Sequence, residues 1–242
     1  MRALAIMYAE EQYRAWADML YSIRTGRPAF AHQFGTDVFE YFASHPEASA
    51  VFNEAMTAWT TQVAGAVVGS YDFSTFGTVV DVGGNQGTML AAILRRHPAT
   101  RGILFDLPHI VAGAEPHLKR AGIESRCACV GGDFFEALPT HGNAYVLAQI
   151  LHDWDDDRCV AILAQCRRAM PEHGKLLIVE LVLPPGDEPF FGKWLDLHML
   201  VMTSGRERTA AEYEQLLGAG GFTLARVVPT PAGPSIVEAM PV

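Results

Sequence analysis

The chain has 242 residues, 50% of them hydrophobic and 19% charged, enough for one sizeable globular core or a core with a smaller appendage. Its formal net charge is −9. No basic patch interrupts that balance, so nucleic acid is not an expected partner. The four cysteines, Cys127, Cys129, Cys159 and Cys166, lack zinc-finger spacing and read as reduced core thiols of a cytoplasmic protein.

The apolar run at Met1–Met7 is too short for a signal peptide. The uncharged run between Glu54 and Asp72 carries Thr57, Thr60, Thr61, Gln62 and Ser70, which predicts a buried helix and no membrane span. Residues 8–24 read as one helix with an apolar stripe of Tyr13, Trp16, Leu20 and Ile23, ended by Gly26 and Pro28. A short helix follows Asp37. Pro46 opens a longer one with Phe52, Met56, Trp59, Val63 and Val67 on one face. Residues 1–70 are therefore expected to form a helical cap or linker, and residues 71–242 a Rossmann-like domain.

From Val79 the rhythm becomes alternating strand and helix. Val79–Val82 runs into Gly83, Gly84 and Gly87, then into a helix with apolar Met89, Leu90, Ile93 and Leu94. Strand, glycine turn and helix make the opening of a nucleotide-cradling α/β unit. Strand two is 102–105 and ends at Asp106, with a helix over 109–121; strand three is 126–130, near Asp133 and Phe134. Strand four is 144–148, just before His152. A helix starts at Asp155-Asp156-Asp157, where acids suit the positive end of its dipole. Strand five spans 175–182 and holds Glu180, and a helix covers 190–203. Thr209 and Glu212 form a capping box for the next helix. Two last strands, 222–228 and 235–240, are joined by a turn short enough for a hairpin, which makes the final strand antiparallel. The expected fold is a doubly wound, seven-stranded α/β sheet with that N-terminal helical cap.

In such sheets ligands bind beyond the carboxyl ends of the strands, and the chemically loaded residues all fall there. Asp106 sits about 20 residues past the glycine turn, where an acid accepts ribose hydroxyls. Asp133 suits an exocyclic amine, and Phe134 a purine face. An NAD-dependent dehydrogenase would share the turn and the strand-two acid. Its glycines, however, are spaced Gly-x-Gly-x-x-Gly, and it needs no acid and aromatic after strand three. Asp153, Asp155, Asp156 and Asp157 allow a magnesium reading, but helix capping explains them more simply and no metal is expected.

Taken together, Asp81-Val82-Gly83-Gly84-Asn85-Gln86-Gly87, Phe105-Asp106-Leu107-Pro108, Gly132-Asp133-Phe134-Phe135, Leu151-His152-Asp153-Trp154, Ile178-Val179-Glu180 and Gly205-Arg206-Glu207-Arg208-Thr209 resemble the S-adenosylmethionine-dependent small-molecule O-methyltransferases. These are the plant caffeate type and their bacterial polyketide-tailoring relatives. Phe52–Met56 resembles their segment that closes over the cofactor. The resemblance implies a small-molecule hydroxyl acceptor and S-adenosylmethionine as cofactor. His152 would be the general base, flanked by Glu180 and Glu207. The cofactor would be held by Asp81, Gly83, Gly84, Gly87, Asp106, Leu107, Asp133, Phe134 and Met56.

The resemblance implies an N-terminal dimerisation domain of about a hundred residues that also walls the acceptor pocket. This chain starts inside the linker helices after it, as a shortened variant or one piece of a larger assembly would, and a homodimer stays possible but is expected to lack its main contacts. Asn85 replaces a glycine of the motif, and Ala148 stands where many members are polar. Two alternatives stay open: the same fold using its cofactor for cyclase, hydroxylase or decarboxylase chemistry, and a non-catalytic cofactor-binding remnant. Phe52, Met56, Trp59, Trp154, Trp194, His198, Met199 and Met202 are candidate walls of an acceptor cavity and read equally well as core.

Overall fold

A computed structural model describes residues 2–242. Six helices come first: α1 (Arg2–Ala9), α2 (Glu11–Ala17), α3 (Met19–Thr25), α4 (Ala29–Phe34), α5 (Val38–Ser44) and the long α6 (Pro46–Ser70). The expected single helix over 8–24 is broken at Glu10 and again at Asp18. Its stripe is also misassigned: Tyr13, Leu20 and Ile23 are exposed, while Gln12, Ala15 and Ser22 turn inward. Ser22 is buried because its hydroxyl accepts from the Ala29 N–H, a partner that no helical period reveals. Helix α4 was not anticipated. Asp37 caps α5 by accepting from the Phe39 and Glu40 N–H groups. No described helix is long and apolar enough to cross a membrane.

The sheet follows: β1 (Thr78–Val82), β2 (Arg101–Asp106), β3 (Cys127–Gly131), β4 (Ala144–Ala148), β5 (Lys175–Glu180), β8 (Phe222–Val228) and β9 (Ser235–Pro241), in the order β3-β2-β1-β4-β5-β9-β8. All neighbours run parallel except β9, which is antiparallel to both β5 and β8. The final hairpin therefore folds back and inserts β9 beside β5, a placement the turn length leaves undetermined. Strand five stops at Glu180. Its expected tail is a separate strand, β6 (Val182–Leu183), paired with β7 (Arg208–Thr209).

Helices α7 (Thr88–Arg96), α8 (Pro108–Val111), α9 (Glu115–Ala121), α10 (Asp156–Ala169), α11 (Phe191–Met202) and α12 (Ala210–Ala219) complete the chain. The helix expected over 109–121 is two, α8 and α9, with Pro116 in the first turn of α9. Val79 and Val146 face a core shared with α6, α7 and α9, whereas Val80, Val82 and Leu147 face a second core shared with α10 and α12. Both faces are covered, as the near-continuous apolar strands require. β3 is an edge strand, which leaves Cys129 exposed and Cys127 half-buried. Only Cys159 and Cys166 are core thiols, so the expectation for the first two was wrong.

Candidate active site

The strand order reverses between β1 and β4, and ligand clefts open there, at the carboxyl ends. The glycine turn leaves β1 with Gly83 at φ 68°, Asn85 at φ 50° and Gly87 at φ 79°. Asn tolerates this region better than most residues, so the motif keeps its shape without the family's glycine. A Cβ on Gly83 would lie 2.5 Å from Ile150, and one on Gly84 2.6 Å from the Asp81 carboxyl. Phe134 lies over Gly83 on the same side.

Asp106 closes the turn from β2: one carboxylate oxygen accepts from the Asn85 N–H at 2.8 Å, the other from Leu107 N–H at 2.7 Å. Burial raises its pKa, and those two N–H groups oppose the rise. Asp133 accepts from the Phe135 N–H at 2.8 Å. The Asn85 side chain donates to Asn53 of α6 at 2.9 Å, and Trp59 of α6 donates to Gln149 after β4 at 2.8 Å. Helix α6, which also carries Met56, is thus latched to both lips of the cleft. None of Asn53, Trp59 or Gln149 announced that pairing in sequence, since their separations are 32 and 90 residues.

His152 sits in a tight 3-10 turn, Leu151–Asp153, between β4 and α10. Its Nδ1 contacts Glu207 Oε1 at 2.7 Å, and its Nε2 lies 3.8 Å from Asp153. Burial alone pulls the imidazole pKa down. The carboxylates of Asp153, Glu207 and Glu180 outweigh it and carry the group up to about 10. Burial likewise pushes Asp153 up to about 6, against the pull of His152.

Glu180 does not meet the ring. Its Oε1 accepts from the N–H groups of Ile150, Leu151 and His152, and its Oε2 accepts from the Tyr213 hydroxyl. Arg208, fully buried, donates to the carbonyls of Leu151 and Trp154 and pairs with Asp156. A Cβ on Gly205 would overlap the His152 carbonyl, so only glycine lets that segment approach. Tyr213, Gly205 and Arg208 were missed as contributors, although Gly205 and Arg208 lie in a stretch the resemblance singled out.

The candidate acceptor walls divide. Trp194 and His198 of α11 stack with Trp16 of α2. Beyond Trp194 an open groove of about 540 Å³ is lined by Phe190, Phe191, Lys193 and Leu197. Trp154 packs instead against Phe39, Phe134 and Phe135. Phe52 stacks on Phe42. Met199 packs with Leu181 and Leu195, and Met202 with Phe30 and Val201, as core.

Seven buried side-chain polar atoms lack partners among the described residues. Three of them lie at the glycine turn and the loop after β4: Asp81 Oδ1, Asn85 Oδ1 and Gln149 Nε2. Unpaired buried polar atoms are costly, and a ligand bearing both donors and acceptors would satisfy them. The amino-acid end of S-adenosylmethionine, an ammonium and a carboxylate, is such a ligand. The residues fit the group.

Sheet, glycine turn and strand-end acids define an S-adenosylmethionine-dependent methyltransferase. The chain belongs to the O-methyltransferase domain family, whose model matches residues 16–223. It is 60% identical to phenazine O-methyltransferase PhzM of Lysobacter antibioticus over 242 residues, covering 100% of this chain and 71% of that protein. It is 44% identical to O-demethylpuromycin-O-methyltransferase of Streptomyces alboniger, covering 95% of this chain and 63% of that protein. Among solved structures, the methyltransferase NcsB1 from neocarzinostatin biosynthesis, in complex with S-adenosyl-L-homocysteine and 1,4-dihydroxy-2-naphthoic acid, superposes with a TM-score of 0.87. It is 35% identical, covering 96% of this chain and 69% of that one.

Proposed function

We propose that this chain transfers the methyl group of S-adenosylmethionine to a hydroxyl oxygen on an aromatic small molecule, with His152 as general base and no metal ion. The observation that carries the reading is the buried contact of 2.7 Å between His152 Nδ1 and Glu207. With its Nδ1–H donated to Glu207, the ring keeps Nε2 to take a proton from the acceptor. The imidazolium so formed is stabilised by Glu207 and Asp153.

When bound, S-adenosylmethionine supplies a methyl group already activated on a sulfonium. The protein's task is then alignment of the attacking oxygen and removal of its proton. Asp106 and Leu107 serve the ribose, and Asp133 and Phe134 the adenine. Gly83, Gly84, Gly87, Asp81 and Met56 surround the methionine part. A cationic sulfonium held near His152 would favour the neutral imidazole, the form that takes the proton. Asp155 is used to cap α10, and Asp156 pairs with Arg206 and Arg208, which supports acid–base chemistry without a metal.

An aromatic acceptor is supported by the phenazine-named relative and by the naphthoic acid bound to NcsB1. We assign residues 1–70 as the cap and 71–242 as the methyltransferase domain, since α6 bridges the two through Asn53 and Trp59. The test is a mass screen of phenolic acceptors with S-adenosylmethionine, where transfer adds one methylene unit. His152→Gln is expected to slow transfer about a hundredfold while cofactor affinity is kept. Full turnover in that variant removes His152 from the role, and inhibition by a chelator removes the metal-free reading.

A further inference from the structure

Trp194 and His198 stand one turn apart on α11, beside Trp16 of α2. The three rings are nearly parallel, with centroids 5.3 Å (Trp16–Trp194), 5.7 Å (Trp194–His198) and 6.0 Å (Trp16–His198) apart. Tyr8 of α1 meets both Trp194 and His198 edge-on. The Trp16 indole N–H donates to His198 Nδ1 at 2.8 Å. An indole nitrogen is a donor only, so His198 Nδ1 is the bare nitrogen and the ring's hydrogen lies on Nε2. Burial, and then the charge of His152, hold the His198 pKa at about 4, so the ring stays neutral. His198 Nε2 has no hydrogen bond among the described residues, yet it is not among the sealed unpaired atoms. A fixed donor therefore opens from a helix that is tied to the His152 site, since Asp196, half a turn before His198, accepts from the N–H of Glu207 and Glu207 contacts the His152 ring.

We propose that His198 is a specificity-determining residue of the acceptor site: its Nε2–H donates to an uncharged acceptor atom, a ring nitrogen or carbonyl oxygen, carried by the aromatic substrate. Trp16 sets the tautomer that makes His198 a donor. The inference rests on the methyltransferase reading above. The rings packed against His198, those of Trp16, Trp194 and Tyr8, bring no charge of their own to hold an anion. A ring nitrogen or carbonyl is cheaper to desolvate and lies flat against aromatic faces.

Two measurements test this on the full chain. The first is 15N NMR of histidine-labelled protein, expected to show a neutral Nε2–H ring at pH 7 that becomes a tautomer mixture in Trp16→Phe. Protonation on Nδ1, or an imidazolium, overturns the proposal. The second compares kcat/KM for 5-hydroxyquinoline, 5-hydroxy-1-tetralone and 1-naphthol. Wild type is expected to favour a molecule with the extra acceptor atom about tenfold, the cost of leaving the donor unpaired. His198→Phe is expected to bring that ratio near one and Trp16→Phe to an intermediate value, with S-adenosylmethionine affinity reporting that each variant has folded. A preference for the quinoline alone supports ring nitrogen, and for the tetralone alone, carbonyl. A ratio that survives His198→Phe, or a wild type without preference, overturns the proposal. If none of the three is methylated, the aromatic-hydroxyl reading fails. Dissociation constants from tryptophan quenching then decide the His198 question by the same ratios.

Discussion

Glu180 hydrogen-bonds the main chain that carries His152, not the His152 imidazole. Three consecutive N–H groups, from Ile150, Leu151 and His152, converge on its Oε1. The ring itself is met by Glu207. Two acids beside one histidine are thus placed differently, one accepting from the turn's main chain and the other contacting the ring. Glu180→Gln keeps an acceptor oxygen for the three donors and should lower kcat less than tenfold. Glu180→Leu leaves buried donors unpaired, at about 1–3 kcal/mol each, and should lower the melting temperature by more than about 5 °C. Equal behaviour of the two variants in thermal melts would show that the main-chain bonds carry little weight.

Glu207→Gln tests the other acid. Removing that negative charge makes the imidazolium less stable, so the His152 pKa falls from its value of about 10. The base limb of the kcat/KM profile against pH should move to lower pH. Its plateau should fall about a hundredfold, because the imidazolium formed during transfer loses its partner. A profile with the wild-type midpoint would separate Glu207 from the titrating group.

Asp81 is fully buried, and burial pushes its carboxyl up to about 7 from an ordinary 3.8. A carboxyl with a raised folded-state pKa stabilises the fold most when protonated. That contribution is lost as pH rises from about 3.8 through about 7. Asp81→Asn does not titrate. Its melting temperature relative to wild type should therefore climb between pH 5 and pH 8, by about 2–4 °C for each kcal/mol involved. A flat difference across that range would mean that Asp81 stays ionised.

Asp106 accepts from the Asn85 N–H and so holds the one non-glycine residue of the turn at positive φ. Asp106→Ala removes both the proposed ribose contact and this brace. Calorimetric titration should show S-adenosylmethionine binding weakened at least tenfold, with the melting temperature of the free protein changed much less. Unaltered affinity would remove Asp106 from the cofactor site.

Gly205→Ala tests the close approach to the His152 carbonyl. A Cβ there overlaps backbone, which cannot yield as a side chain can. The variant should lose several kcal/mol of stability, and any folded fraction should have reduced kcat. Wild-type melting and turnover would show that the segment has room to move.

What the sequence determined by itself was local or periodic. Spacing alone located the glycine turn, the β1–β5 core and the capping box in which Thr209 and Glu212 satisfy each other. It also placed Asp106, Asp133 and His152 at strand ends, because strand length and the switch to helical period reveal where a strand stops. The tertiary structure decided what no period encodes. It turned Tyr13, Leu20 and Ile23 outward and left Cys129 on an edge strand. It slid β9 beside β5, set Glu180 under the main chain rather than beside the ring, and joined Trp16 to His198 across 182 positions. A side chain's partner is chosen by packing between elements distant in sequence, and the burial that strengthens each hydrogen bond there exists only once those elements have met.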